Sequence, residues 1–188
     1  GYGKKMAIMT GDAILLLNLD FNNSEKRDLL VNLVQYGIDI YGIIKAGGQW
    51  YADGGHNCGR LSPLLAAAMA LNEPGMKNQL SGALMNFQEF QQTFYVSEAD
   101  ILRSHTGPKP PYLNYTNSDL GKPEWGITHY IAPNADNKYW DAAYRDIGGG
   151  VLQAPAIAAK LMKAKQIIDH DAFFDYANRH IYYRESLF

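Results

Sequence analysis

The chain has 188 residues, 47% hydrophobic and 19% charged, and its 17 Lys and Arg against 19 Asp and Glu leave a net charge of −2. This ordinary globular composition excludes a disordered chain, and the scattered basic residues argue against nucleic acid, whose phosphates call for a basic stripe. No apolar run approaches the roughly 20 residues of a membrane span, and the length suits one domain, 1–188, with a real core.

The N-terminal stretch GYGKKMAIMTGDAILLL has neither an initiator Met nor the basic, apolar, small-residue pattern of a signal peptide. It is read as the sequel of a removed leader or as part of a longer chain. Asp12 to Leu19 reads as a short buried helix, or as the end of one. Ser24 is placed to cap a helix from Glu25 to Ala46, stopped at Gly47. Its expected apolar face carries Leu29, Leu30, Leu33, Val34, Ile38, Tyr41 and Ile44. Gly37 and Gly42 each cost that helix about 1 kcal/mol, which calls for close packing against a neighbour.

A glycine-rich loop, Gly47 to Pro63, leads to a helix that Ser62 would cap and Pro63 would open, ended by Asn72 to Gly75. The two helices and their loop read as an αα-hairpin. Met76 to Arg103 reads as interrupted helix, with an extended turn before a short helix from Glu98. Ser104 to Pro133, rich in Pro, Gly, Asn, Tyr and His, reads as one long irregular loop. Helices are expected again over Tyr139 to Arg145, Val151 to Ala164 and Asp171 to Arg184. No β-alternation longer than a few residues interrupts this all-α pattern.

Within GGQWYADGGHNCGRLSP, Asp53, His56 and Arg60 lie three and four residues apart. Such a set can converge at a helix N-terminus, where a carboxylate fixes the tautomer of His56 and Arg60 holds a substrate carboxylate. The structural alternative has Asp53 capping a turn, His56 satisfying backbone groups and Arg60 bridging helices. Glu124 beside Trp125 has the setting of a general acid, or is a solvated charge; His129 shares its loop.

Among 13 Tyr, 7 Phe and 3 Trp, the rings of Trp50, Tyr51, Tyr112, Tyr115, Trp125, Tyr130, Trp140 and Tyr144 stand in or beside loops. There they can stack on sugar faces while Asn57 and Asp53 meet hydroxyls. Arg145, beside Tyr144, looks structural by its segment and joins Trp140 and Tyr144 in the expected substrate-binding set. Cys58 is the only cysteine, which leaves no intrachain disulfide and no thiolate cluster. No HExxH, EF-hand, Walker or GxGxxG pattern occurs, so no metal or cofactor is expected.

The segments QYGIDIYGIIKAGGQWYADGGHNCGRLSPLLAAAMAL, PEWGITHY, YWDAAYR and DHDAFFDYANRH together resemble the later part of bacterial α/α-toroid proteins, the polysaccharide lyases and six-hairpin glycosidases. That resemblance implies antiparallel helical hairpins forming part of an (α/α) toroid, with their loops gathered around a glycan cleft. The chain supplies roughly half the helices of a full toroid, which implies a partner in the remainder of a parent chain or in another subunit. The activity implied is β-elimination on a uronic-acid polysaccharide. Arg60 or an Asn would neutralise the carboxylate, His56, His129 or a Tyr would take the proton, and a Tyr would serve the leaving oxygen. The alternatives are hydrolysis by Asp53 and Glu124, and a non-catalytic glycan-binding or scaffolding domain. A periplasmic or secreted location is expected.

Overall fold

The computed structural model describes residues 2–106, 114–126 and 148–185. These residues are mostly helical, as the all-α reading expects. In chain order they form α1 (Tyr2–Leu17), α2 (Asn23–Lys45), α3 (Leu61–Ala70), α4 (Pro74–Gln79), α5 (Gln88–Gln92), β1 (Thr93–Tyr95), α6 (Glu98–Thr106), β2 (Pro123–Trp125), α7 (Gln153–Leu161), α8 (Lys165–Ile168) and α9 (Asp171–Glu185). The helix expected over Tyr139 to Arg145 lies outside the described residues.

The hub is α3. It is apolar all round, and Leu61 to Ala68 are all buried, as expected of a helix enclosed by its neighbours. Ser62 and Pro63 fall inside its first turn; Arg60 occupies the N-cap position and makes no side-chain cap bond. The expected Ser62 cap is thus corrected: with Leu61 drawn wholly into the core, the helix starts before the serine. Around α3, one apolar cluster joins Ile14, Leu33, Ile40, Phe87, Phe90, Trp125, Leu152, Phe173 and Tyr176.

Helix α1 begins much earlier than Asp12. Its inner face is Gly3, Ala7, Thr10, Gly11 and Ile14, all buried at helical spacing. Small residues there let the backbone of α1 lie close to its neighbours, a signal that an apolarity count overlooks.

Helix α2 is capped by Asn22, not Ser24. The Asn22 side chain accepts from the Glu25 amide at 3.0 Å, and Glu25 Oε2 accepts from the Asn22 amide at 2.9 Å. This reciprocal box needs a three-residue spacing to an acid, which Asn22 has and Ser24 lacks. The buried stripe is Leu33, Gly37 and Ile40, whereas Leu30 and Ile38 of the expected face are exposed. Gly37 meets the expectation of close packing, since a Cβ there would overlap the Pro63 carbonyl of α3. Gly42 does not: nothing lies within 4 Å of its virtual Cβ.

The interrupted segment resolves into α4, a 3-10 turn at Gly82–Leu84, α5, β1 and α6. Strand β1 pairs antiparallel with β2, Phe94 opposite Glu124, so the expected irregular loop contains a short strand. Helix α9 covers this ribbon: Tyr95 Oη donates to Asp175 at 2.6 Å and Arg179 Nη1 to the Pro123 carbonyl at 2.7 Å.

The two glycines of α2 give opposite expectations. Gly37→Ala forces a methyl into α3 and destabilises by about 1–3 kcal/mol, while Gly42→Ala fills open space and stabilises by about 0.5–1 kcal/mol. Urea midpoints of the two variants should move in opposite directions, and a shift of the same sign in both would contradict this packing.

Candidate functional site

The loop between α2 and α3 crosses the surface without secondary structure, so its peptide groups need partners from elsewhere. Helix α5, sequence QEFQQ, supplies them. Gln88 Oε1 accepts from the amides of Asn57 at 3.0 Å and Asp53 at 3.3 Å, while Gln88 Nε2 donates to the Gly54 carbonyl at 3.0 Å and to Cys58 Sγ at 2.7 Å. Gln91 Oε1 accepts from the Ala52 amide at 2.8 Å, and Gln92 Nε2 donates to the Gly54 carbonyl at 3.3 Å. Glu89 Oε1 accepts from the Gly59 amide at 2.9 Å. Between the loop's two ends, the turn closes on itself through the His56 amide and the Asp53 carbonyl, 2.9 Å apart.

From the other side α1 presses in. Gly59 sits at φ 94°, and a Cβ there would overlap the α1 backbone at Met6 and Ala7. Thr10 Oγ1 donates to the Gly59 carbonyl at 3.0 Å. The loop is therefore fixed between two helices.

On this fixed backbone Tyr51 is 62% exposed, and Asp53 and His56 are exposed beside it. Asn57 is half-buried and donates to the Tyr51 carbonyl at 2.9 Å. Arg60 turns back on its own loop, donating to the carbonyls of Cys58 at 2.7 Å and His56 at 3.4 Å. Its Nη1 thus braces the loop, a role that neither the substrate clamp nor the helix bridge expected of it describes. Trp50 stacks on Phe87 with centroids 5.8 Å apart and packs against the core, not outward.

Beneath the loop lies a buried polar layer. Burial pushes the Glu89 carboxyl up, against the opposing pull of the Gly59 amide and the Arg60 charge. Its Oε2 and Gln92 Oε1 are buried without a donor; a proton on Glu89 turns Oε2 into a donor and removes one of these orphan acceptors. Burial, then the nearby Glu89, raises the Cys58 thiol well above its usual range, which keeps it a thiol and inert as a nucleophile.

Compared with known proteins, the chain matches no protein-family model, no curated protein and no solved structure. The site stands on its own geometry.

Glu124 does not have the setting of a general acid. It is 1% exposed on β2, ion-paired with Arg179 of α9, and its Oε2 accepts from Tyr115 Oη at 3.2 Å. Tyr115 and Trp125, expected as substrate contacts, are fully buried in the core. Trp125 lies on β2, a three-residue strand too short to leave a periodic trace, and Tyr115 is buried from irregular backbone, so the sequence pattern reads both as loop rings. His129, Tyr112, Trp140, Tyr144 and Arg145 lie outside the described residues. Of the expected catalytic set, the described residues bring together Asp53, His56 and Arg60 on one loop, and they place Glu124 in a separate buried pair. Among the described residues no group of three or more His, Cys, Asp or Glu could hold a metal ion, and no helix is long and apolar enough to cross a membrane.

His170 is structural: Nε2 lies 3.0 Å from Thr93 Oγ1 and 3.1 Å from the Thr93 carbonyl, and burial lowers its pKa. The sequence reading missed the role of Gln88, Glu89, Gln91 and Gln92. Their signal is a run of amides and an acid flanking Phe90 in a segment expected only as interrupted helix.

Two outcomes follow. Removing one partner of a buried ion pair strands the other, so Glu124→Ala should destabilise by about 3–5 kcal/mol, measured by urea unfolding; a stability loss below that of an exposed substitution would contradict the pairing. Glu89 binds its proton more tightly folded than unfolded, so its contribution is present at low pH and is lost as pH rises through its folded value, above 4.5. Glu89→Gln should therefore flatten the fall in stability on going from acid to neutral pH, and an unchanged pH slope would show that Glu89 is ionised in the fold.

Proposed function

We propose that the chain is a carbohydrate-recognising helical domain in which the loop of residues 50–60 meets a glycan. The observation that carries this reading is Tyr51, 62% exposed on a loop whose backbone is tied to α5. A ring held in place gives a sugar face somewhere to stack at little entropic cost. Asp53 and His56, exposed next to it, offer an acceptor and a titratable group to the hydroxyls.

In this reading α2 and α3, joined by the loop and packed through Gly37 and Pro63, are one hairpin of an (α/α) arc. Exposed apolar side chains such as Met9, Leu19, Val31 and Ile43 support a neighbour in the remainder of a parent chain or in another subunit.

Elimination on a uronic-acid polysaccharide is the second reading, favoured by the exposed His56 as the proton-abstracting group. Arg60 enters it with Nη1 already committed to loop carbonyls, which leaves its remaining donors for a carboxylate. Hydrolysis by Asp53 and Glu124 loses its acid to the ion pair with Arg179.

Affinity electrophoresis against uronic-acid and neutral polysaccharides tests the first reading, with unsaturated-product absorbance and reducing ends followed in the same mixtures. Binding should weaken by about three- to tenfold in Tyr51→Ala, the worth of one stacked ring, at unchanged stability. Unsaturated product that disappears in His56→Ala would replace it with the elimination reading. Binding indifferent to Tyr51→Ala, or no binding at all, would overturn it.

A further inference from the structure

A groove of about 450 Å³ opens between the C-terminal end of α1, the first turns of α2 and the end of α3. Its volume falls within the roughly 300–1,000 Å³ of small-molecule sites. The floor is apolar: Ile14 and Ala66 are buried, and Leu17, Leu30, Met69 and Met162 line the walls. Two methionines give that wall the adaptability to follow a flexible hydrocarbon.

The mouth differs in kind. Lys26 and Arg27 are both part of the lining, and among the described residues no Asp or Glu is. Among the described residues neither cation has an ion-pair or side-chain hydrogen-bond partner, unlike Lys122, Lys165 and Arg179, which all meet carboxylates. Asn23, the first residue of the 23-residue helix α2, lines the same mouth; the positive end of that helix is already met by the Asn22 and Glu25 capping box, so the charge offered at the mouth is that of the two side chains. An apolar trough whose described lining ends in two cationic side chains and holds no carboxylate is complementary to a molecule with a hydrocarbon tail and one anionic head.

We propose that this groove is a binding site for an anionic amphiphile, an unbranched acyl carboxylate, with the chain against Ile14, Leu30, Met69 and Met162 and the carboxylate between Lys26 and Arg27. The site shares no residue with the 50–60 loop and does not depend on how that loop is read. Both cations are on the surface of α2, where replacement by glutamine removes charge and keeps helix propensity.

Isothermal titration with sodium decanoate, below its micellar concentration, tests the site, with 1-decanol as the uncharged control. Saturable one-to-one binding of decanoate is expected. It should be roughly tenfold weaker in the Lys26→Gln, Arg27→Gln double variant, which loses charge-assisted contacts, and lost in Ala70→Trp, which fills the groove from its exposed edge; melting curves check that both variants fold. No saturable binding, equal binding of 1-decanol, or unchanged affinity in the double variant would overturn the proposal. A concentration-dependent dimer that Ala70→Trp turns monomeric would assign the groove to a second copy of the chain and overturn it as well.

Discussion

The hydrogen bonds from α5 to the backbone of the 47–60 loop are the constraint on which the rest of the site depends. A connection rich in glycine loses much conformational entropy on ordering, and this one has no ladder or helix to repay it. Gln88 alone engages Asp53, Gly54, Asn57 and Cys58. Because the bonds at Gly54, Cys58 and Gly59 are buried and those of the Ala52, Asp53 and Asn57 amides partly so, a group that lost its partner would bear a desolvation cost, which favours one shape for the loop. That shape turns Tyr51, Asp53 and His56 outward and sends Trp50 inward onto Phe87.

Two buried carboxyl groups are handled in opposite ways. Glu89 has no ion pair among the described residues, and burial raises its pKa, which favours its protonated form in the buried polar layer under the loop. Glu124 keeps a cation, Arg179, and a hydroxyl, Tyr115. The first arrangement binds the loop to α5, and the second binds the β1–β2 ribbon to α9. Neither is poised for proton transfer to a ligand, because neither carboxyl is open to one.

Much of the helical frame was legible from sequence. The apolar run after Pro63 locates a helix, though not its place as the buried hub, and the Gly37 penalty predicts close contact with a neighbour. The end of α2 at Gly47, at φ 87°, and the short helix from Glu98 also follow from local signals. The caps were legible in type but not in place, since Asn22 and Ser24 compete and only the spacing to Glu25 separates them. What escaped is long-range. Nothing local states that QEFQQ bonds to a loop some thirty to forty residues earlier in the chain, or that PEW forms a strand against TFY. For the same reason Arg60 reads from sequence as a ligand clamp: residue type declares a guanidinium, and only the folded loop shows its Nη1 bonded to the loop's own carbonyls.

Amide hydrogen exchange along residues 47–60, in the wild type and in Gln88→Ala, tests the central claim most directly. If α5 holds the loop, the amides of Ala52, Asp53, Asn57 and Gly59 exchange slowly in the wild type, and those of Asp53 and Asn57 lose protection in the variant while the amides of α3 keep theirs. Fast exchange of all four in the wild type, or protection unaltered by the loss of Gln88, would contradict it.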